Sequence, residues 1–387
     1  MVAQPAQRPL TPLAERLAIL ALASAAFAMT LNANVLAALL PYLEADSAFA
    51  GHDLKILVGA AGLAGAVGAV LLGPAVDAFG RRTPMTVGML LFTLASLWHV
   101  LAAGSFAQIL AARALAGFAA GVTYTSASAA VADLVAYERR GAAMGVFTAG
   151  MFLAVPVGLP LAGLFARLGH WSHIFVVQAG VGVLAMLAIR MLIPRDLGRS
   201  RYSLDNLRML GTVDVIACLG SVVLYVGAFF TSVQFAGAWL DRSGLLPKKE
   251  QGMLWVVLGL CMAVGSLALA RLSDRFGKRT WTNLTCVGVA AFLLLLTRVD
   301  DLAGLWAVGL PLAIVAAART GPFQALISEL VPTEARGTLM GVRAAAVNLG
   351  TGVFPMLAPK DYHDALYVAS AAVFVAFLLV LLLVRQR

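Results

Sequence analysis

Residues 73–84 read GPAVDAFGRRTP, and residues 270–281 read ARLSDRFGKRTW. The two stretches share the pattern D-x-F-G-[RK]-R-T, and the second copy follows the first by 197 residues in a chain of 387. Each copy is short and charged, and each lies between long apolar stretches. A charged loop that recurs at half the chain length indicates two related halves joined in tandem.

The composition is too apolar for a water-soluble protein of this length. Hydrophobic residues make up 61% of the chain and charged residues 12%, and the mean hydropathy is +0.90. Soluble domains carry about 25% charged residues, which cover their apolar core. The sequence therefore predicts a protein with several membrane-spanning helices and a lipid bilayer around them.

The apolar runs predict twelve spans, since about 20 apolar residues are needed to cross a bilayer as a helix. The predicted organisation is an N-terminal six-helix bundle over residues 1–193, a cytoplasmic linker over 194–209 and a C-terminal six-helix bundle over 210–387. The runs fall near residues 17–43, 53–76, 84–104, 107–132, 141–166, 172–193, 210–238, 250–272, 280–298, 302–328, 338–357 and 364–385.

The Lys and Arg residues predict the orientation, because cytoplasmic loops of membrane proteins are enriched in them. With the N-terminus on the cytoplasmic side, nineteen basic residues fall on that side, Arg343 among them, and seven fall on the other. Both termini are therefore predicted to be cytoplasmic. The net charge of +9 follows from this topology, so we expect no nucleic-acid partner.

A second repeat supports the duplication. Asp133 begins the stretch DLVAYERRG, and Glu329 begins the stretch ELVPTEARG 196 residues later. Because an even number of spans separates the two copies, the halves run in the same direction. Parallel halves of six spans place a binding cavity between them, near the middle of the bilayer.

At these loops the chain resembles the major facilitator superfamily, and the resemblance covers all twelve spans. The family's signature loop between its second and third spans reads roughly G-x-x-x-D-x-x-G-R-[KR]. The resemblance implies an all-α membrane protein with twelve transmembrane helices in two pseudo-symmetric six-helix bundles. The positions that match the two copies are Gly73, Asp77, Gly80, Arg81, Arg82, Asp274, Gly277, Lys278 and Arg279, with Ala270 in place of the second leading glycine.

The chemistry of this loop is typical of a gate on the cytoplasmic side. Gly80 and Gly277 permit the positive φ of a tight turn between two helices. Asp77 would lie at a helix C-terminus, where the dipole disfavours a carboxylate, so it should need nearby cations or another helix N-terminus. In the family this cluster latches the gate together with the acid after the fourth span. That acid is Asp133 here, and Glu329 is its repeat; basic anchors without a switching role are the alternative.

Arg113 lies within the fourth span, where an arginine is costly and rarely faces lipid. With Gly117 and Gly121 it resembles the family's R-x-x-x-G segment, which is linked to proton transfer in proton-driven efflux members. Tyr124 lies three helical turns further on and shares the same face. The alternative is an arginine that pairs with a carbonyl or extends to the interface.

Arg319 lies in the tenth span, ten residues before Glu329 and so about 15 Å into the membrane. A midplane arginine without an acid nearby in sequence favours an anion, such as a carboxylate or a phosphate. A structural partner on the seventh or eleventh span is the alternative. No Asp or Glu falls in the middle third of any predicted span, and Asn32 and Asn34 stand where several multidrug members carry an acid.

The remaining polar residues of the spans give weaker signals. Gln234, Gln324 and Asn348 are candidates for the cavity wall, or else for hydrogen bonds between helices. His170 and His173 have no third ligand nearby, and all three cysteines lie in apolar runs, so neither a metal site nor a disulfide framework is predicted. The groups left for proton coupling are peripheral: Asp77, Asp133, Asp214, Glu329 and His99.

Among superfamily members the chain is most similar to the drug/proton antiporters. The resemblance implies a secondary transporter that moves a small amphipathic organic compound by alternating access, through proton-coupled efflux. The alternative is an organic-anion carrier, working as a symporter, exchanger or uniporter, that uses Arg113 and Arg319 to bind the negative charge. No nucleophile–base pair and no phosphate-binding loop occurs in the sequence, so neither an enzyme nor an ATP-driven pump is expected.

The resemblance also implies the partners and the location. We expect a small-molecule substrate, protons and the bilayer as partners, no cofactor and no metal, and a monomer. The expected location is a bacterial inner (cytoplasmic) membrane. A non-transporting sensor with this fold would not need both gate loops.

Overall fold

The computed structural model describes residues 11–135, 139–195, 197, 208, 210–332 and 336–384. Its description of side chains omits residues 72–79, 132, 140–142, 267, 270, 271, 274 and 337. All regular structure in the described ranges is helical, which agrees with the sequence prediction. Most of the predicted linker, residues 194–209, lies outside the described residues.

The N-terminal half consists of six helical passes, two of which are built from consecutive helices. The first helix begins after Thr11, whose side chain accepts a hydrogen bond from the Ala14 backbone N–H at 3.3 Å and so caps the helix. The helices are α1 (Pro12–Asn34), α2 (Leu36–Leu43), α3 (Lys55–Phe79), α4 (Arg82–Leu101), α5 (Phe106–Leu134), α6 (Arg140–Leu153), α7 (Leu159–Arg167) and α8 (His173–Leu192).

The C-terminal half repeats this arrangement with six further passes. Asp301 caps its fourth pass by accepting a hydrogen bond from the Gly304 backbone N–H at 2.7 Å. The helices are α9 (Val213–Arg242), α10 (Gln251–Ala268), α11 (Ser273–Phe276), α12 (Lys278–Leu296), α13 (Leu302–Ala318), α14 (Thr320–Glu329), α15 (Arg336–Leu357) and α16 (Tyr362–Leu383).

Most passes satisfy the physical requirements of a membrane span. Among the described residues, nine helical stretches are long and apolar enough to cross a bilayer, and Lys55–Leu71 and Gln251–Ser266 are shorter apolar helices. The remaining pass, α15, carries Arg336 and Arg343. The predicted all-α membrane architecture is confirmed.

The regular α-helical pattern is interrupted in three passes. The first breaks at Val35, between α1 and α2. The fifth contains a π-helical turn at Ala154–Gly158, because Pro156 has no backbone N–H to continue the ladder. The tenth breaks at Arg319, which stands at the junction of α13 and α14. Val35 and Arg319 keep right-handed helical backbone angles, so both passes continue across these interruptions.

The two ends of the bundle differ in their chemistry. The first turn of α1 and the last turn of α16 lie at one end, where Arg139 pairs with Glu15 and Arg279 donates to the Leu381 carbonyl. We call this end the terminal face. The end that holds the connections around residues 44–54, 243–250 and 358–361 is the opposite face.

Candidate functional site

Hydrogen bonds join the two halves near the opposite face. Gln234 Nε2 donates to the Ala33 carbonyl at 2.9 Å. Tyr42 donates its hydroxyl to the Lys248 carbonyl at 3.2 Å, and Lys248 Nζ donates to the Pro41 carbonyl at 3.0 Å. Lys248 Nζ also lies 5.0 Å from the centre of the Tyr42 ring. Tyr42 and Lys248 therefore form a reciprocal clasp between the halves.

Glycines allow α3 of the N-terminal half and α15 of the C-terminal half to touch through their backbones. A Cβ atom added at Gly59 or at Gly62 would collide with the backbone of Gly352. Further along α3, a Cβ at Gly65 would lie 2.8 Å from the side-chain oxygen of Asn348. Small residues permit this approach of two helices in a membrane. We call this contact the glycine seam; with the clasp it closes the opposite face.

A cleft of about 460 Å³ lies between the halves at the opposite face. Glu44 and Arg242, one from each half, approach there to 3.8 Å between Oε2 and Nε. Burial raises the pKa of Glu44, and Arg242 partly offsets this; Asp241 and Lys248 act in opposite directions. The Glu44 side chain is still 38% exposed, so solvent weakens both effects. The charged residues that line the cleft are Glu44, His52, Asp53, Lys55, Arg242 and Lys360.

At the terminal face, each half pairs its charged loop with the acid that the sequence repeat provides. Arg81 Nε lies 3.3 Å from Asp133 Oδ2 in the N-terminal half. Lys278 pairs with Glu329 in the C-terminal half. The two pairs occupy equivalent places in the repeat, and each joins two elements of the same half. They fasten each loop to the helix end beside it.

The other predicted gate residues support this turn or lie outside the description. Gly80 and Gly277 adopt positive φ values of 79° and 81°, which favour glycine. Arg279 donates to the Leu381 carbonyl in the last turn of α16. Arg82 Nε is buried and has no acceptor among the described residues. Three predicted residues lie on helices but outside the described side chains: Gly73, Asp77 and Asp274.

Arg113 of α5 is fully buried inside the N-terminal half. Its Nη1 donates to the carbonyl and to the side-chain oxygen of Asn32, at 2.6 and 3.0 Å, and its Nε donates to the Leu57 carbonyl at 3.2 Å. Asn32 in turn donates to Gln178 Oε1 at 2.9 Å. These bonds tie α1, α3, α5 and α8 together. Every described hydrogen-bond partner of Arg113 belongs to its own half.

Two further candidates in this half make local contacts. Asn34 Nδ2 donates to the Thr30 carbonyl at 2.9 Å, one turn back on α1. His99 is buried, its ring stacks on Phe175 at 4.2 Å between centres, and its Nδ1 lies 2.6 Å from the Ala95 carbonyl. Since a carbonyl only accepts, this nitrogen carries the proton. His99 packs as a structural residue would.

Arg319, at the junction of α13 and α14, is only 3% exposed. Its Cζ lies 4.0 Å from the ring centres of both Tyr225 and Phe323, a cation–π arrangement. Its Nη2 donates to Ser221 Oγ at 2.9 Å, and its Nε has no acceptor among the described residues. Tyr225 is fixed by its own hydrogen bond to the Ala316 carbonyl at 3.1 Å. Neutral groups therefore hold Arg319 without cancelling its charge.

Arg343 is the site residue that the sequence analysis missed. The charge count assigned it to the cytoplasmic end, but it stands seven residues after Arg336 on α15, about 10 Å along the helix. Its Nε is buried without an acceptor among the described residues. Its helix contacts α5, which carries Tyr124 of the other half, and α14, which follows Arg319. The signal was present, because Arg343 falls inside the predicted span 338–357.

The remaining candidates surround these two arginines. Tyr124 donates its hydroxyl to Met151 Sδ at 3.0 Å. Gln324 Nε2 lies 3.9 Å from Met340 Sδ, which joins α14 to α15 on the side of the terminal face. Asn348 donates to the Ala344 carbonyl of its own helix at 3.0 Å, and its side-chain oxygen lies beside Gly65 of α3. We call this set the central cluster: Tyr124, Arg319, Gln324, Arg343 and Asn348.

Residues 22–355 match the family model described as Major Facilitator Superfamily. The match includes both charged loops and the whole central cluster. It also includes the acid that pairs with each loop.

The chain is similar to several bacterial proteins. It is 26% identical to the uncharacterized MFS-type transporter YceJ of Bacillus subtilis (strain 168), over 92% of each chain. It is 25% identical to the inner membrane transport protein YdhP of Escherichia coli (strain K12), over 66% of each. It is 26% identical to the putative multidrug resistance protein MdtD of Escherichia coli (strain SE11), over 57% of this chain and 58% of MdtD.

Solved structures share the fold at low sequence identity. The human organic anion transporter MFSD10 (TETRAN) superposes with a TM-score of 0.71 and 18% identity, over 96% of this chain and all of that one. A D-xylose-proton symporter gives a TM-score of 0.75 and 18% identity, over 96% and 97% of the two chains. Both likenesses concern the arrangement of helices.

Proposed function

The chain belongs to the Major Facilitator Superfamily, a family of membrane transporters and not of enzymes, and we propose that it moves a small organic anion by alternating access. One observation carries the choice of an anion. Arg319 and Arg343 lie within the helical passes, and neither has a carboxylate partner among the described residues. A cation at this depth is costly unless a negative group neutralises it.

The contacts between the halves support alternating access. Each half has a hydrophobic cluster of its own, for example around Phe92 and Phe147 in the first and around Leu293 and Leu366 in the second. The halves meet near the opposite face through the clasp, the glycine seam and a third apolar cluster, in which Ala238 and Trp255 pack among residues of the N-terminal half. These contacts can separate without opening either of the two clusters that belong to one half. In transporters built from two such repeats, one bundle rocks against the other around a central site.

The orientation and the gate belong to the same proposal. With the terminal face cytoplasmic, as the Lys and Arg count predicts, the described contacts close the outside. Each cytoplasmic loop is held within its own half, one by the pair Arg81–Asp133 and the other by the pair Lys278–Glu329. We expect the loops to contact the other half when the cytoplasmic side closes. The naming of YdhP as an inner membrane protein favours a bacterial inner membrane as the location.

Proton-coupled efflux of a small amphipathic compound is the second candidate. Two observations favour it: the charged loop with its acid occurs in both halves, and one relative is named as a putative multidrug resistance protein. It ranks second because the described central cluster contains two arginines and no carboxylate.

The test is transport by the purified protein in proteoliposomes, with compounds that differ in charge on one ring. Benzoate and terephthalate are compared with benzamide and benzylamine, with and without an imposed pH gradient. We expect at least one carboxylate to move at least about tenfold faster than the amide or the amine. Arg319→Gln should lower carboxylate transport by a similar factor, whereas Arg298→Gln, an exposed arginine of a connecting loop, should not.

Two outcomes would contradict the anion proposal. Failure of both carboxylates to move, in vesicles that exchange another compound, removes it. Faster movement of benzylamine, dependent on the pH gradient, supports the efflux candidate instead.

A further inference from the structure

Arg343 gives the central cluster a second cation that lacks a partner. It is only partly exposed, and among the described residues it forms no hydrogen bond and no ion pair. It lies on α15, which forms the glycine seam with the other half. Arg343 is therefore a cation at the boundary between the halves, where a substrate would lie in a transporter of this fold.

Arg319 and Arg343 belong to one site. Arg319 immediately precedes α14, Arg343 lies on α15, and these two helices contact each other. The contact between Gln324 and Met340 joins their helices on the side of the terminal face, and Met340 lies one turn before Arg343. Two like charges at this depth repel each other, because the surroundings screen them less than water does. A single negative group would leave one of the two charges uncompensated.

The surroundings of Arg319 restrict how an acidic group can reach it. The rings of Tyr225 and Phe323 lie close to its Cζ, and Ser221 occupies one Nη2 hydrogen. Nε has no acceptor among the described residues, so it remains a donor for a ligand. A guanidinium edge binds a planar carboxylate through in-plane N–H groups. Near Arg343, the Tyr124 hydroxyl of the other half has only a thioether as its described acceptor, which is a weak partner.

We propose that the central cluster takes a small organic dianion with two separate acidic groups, one bound by Arg319 and the other by Arg343 with Tyr124. This inference rests on the proposed anion transport and names the substrate class of the same site. The bound dianion neutralises both arginines. It also joins Arg319 and Arg343 of the C-terminal half to Tyr124 of the N-terminal half, so that binding links the two halves.

The test compares each dicarboxylate with its own monoamide, which has nearly the same size and one charge fewer. Succinate, glutarate, adipate and terephthalate and their monoamides are titrated into the purified full-length protein by isothermal calorimetry. We expect at least one dicarboxylate to bind at least about tenfold more tightly than its monoamide, the effect of one charge-assisted hydrogen-bonded pair. Arg343→Gln should reduce that ratio to less than about threefold, because the second acidic group then has no cation to bind.

Two further variants make the test specific. Arg336→Gln, two turns earlier on the same helix, removes an exposed arginine and should preserve the ratio. Arg343→Lys keeps the positive charge but loses the planar guanidinium, so it should keep part of the affinity ratio. Ratios below tenfold for all four compounds, or a ratio that survives Arg343→Gln in a variant with the wild-type melting temperature, overturn the dianion. If neither dicarboxylates nor monoamides bind or move, the proposed anion transport itself fails.

Discussion

Arg113 and the pair Arg319 and Arg343 are the same residue type within the same membrane fold, but their surroundings differ. Arg113 makes three hydrogen bonds to oxygen atoms of α1 and α3, inside one half. Arg319 interacts with the Ser221 hydroxyl and the Cys286 thiol and packs against two aromatic rings. Arg343 has no hydrogen bond among the described residues. The first arginine joins helices through oxygen atoms, Arg319 is held by neutral groups of its own half, and Arg343 lies on α15, which contacts the other half.

The difference shows what a buried arginine in a transporter can mean. Hydrogen-bonded oxygen atoms stabilise a buried guanidinium and fix it in place, so the helices that supply them move together. A guanidinium held by rings, one hydroxyl and one thiol keeps N–H groups free for a ligand. The N-terminal interior should therefore stay intact during transport, whereas the boundary between the halves should open and close.

The largest effect is expected from Gly62→Val, which disrupts the glycine seam between the halves and leaves the interior of each half unchanged. The added side chain would collide with the backbone of Gly352, so α3 and α15 could not close the seam. We expect transport to be abolished in proteoliposomes, while a cysteine introduced by Ala365→Cys, a buried position of the cleft wall outside the clasp, becomes more accessible to a membrane-impermeant thiol reagent. Gly180→Val is the matched control, because a Cβ there meets nothing within 4 Å. Wild-type turnover of Gly62→Val would show that the seam does not move.

A smaller effect, on stability, is expected from Arg113→Met. This change leaves the Asn32 and Leu57 oxygen atoms without their donor, and each unsatisfied buried group costs about 1–3 kcal/mol. The midpoint of thermal unfolding in detergent should fall by about 4 °C or more. Arg319→Gln, measured alongside, should leave the midpoint within about 2 °C of wild type and impair transport instead. The reverse order of these two melting temperatures would remove the distinction between the arginines.

The smallest effect is expected from Glu44, whose carboxyl group titrates in the cleft between the halves. Burial is the main cause of its raised pKa, so opening the cleft should return the pKa towards its ordinary value of 4.5. The closed state therefore binds the proton more tightly, and closure is favoured at low pH and weakened as pH rises through the raised pKa. Because the side chain is 38% exposed, the shift in the open–closed equilibrium should stay below about tenfold.

Thiol accessibility at the opposite face, measured between pH 4.5 and 8, tests this sign. With Ala365→Cys as the reporter, and labelling expressed relative to the unfolded protein at the same pH, the protein with Glu44 should become less accessible at the acidic end. Glu44→Gln with the same reporter should be insensitive to pH and closed throughout. Asp53→Asn, in the same cleft, is the control. If the Glu44–Arg242 pair acted as a simple lock, acid would open the cleft, and the measurement would show the opposite slope.

The sequence predicted much of the fold because hydrophobic length and charge placement are local properties. The repeated loops and the apolar runs gave the two halves and the positions of the passes. The interruptions at Val35 and Arg319 were not predicted, because a helix break inside an apolar run has no reliable signature in composition. Arg319 was recognised as a site residue because a charge within a span is conspicuous. Arg343 was missed because it was counted with the loop beside it.

The sequence by itself determined the class of protein, the duplication and the pairing of each charged loop with an acid. These follow from residue type and spacing, which are properties of the sequence and do not depend on how the chain folds. Only the tertiary structure decided the surroundings of the three arginines. Arg113 donates from Nε and Nη1 to oxygen atoms of helices that are distant in sequence, and only its Nη2 lacks an acceptor among the described residues. Arg319 stands at the junction of α13 and α14, and Arg343 lies on α15, which packs against α14. Whether a buried charge is satisfied depends on its neighbours in space, and a sequence does not list them.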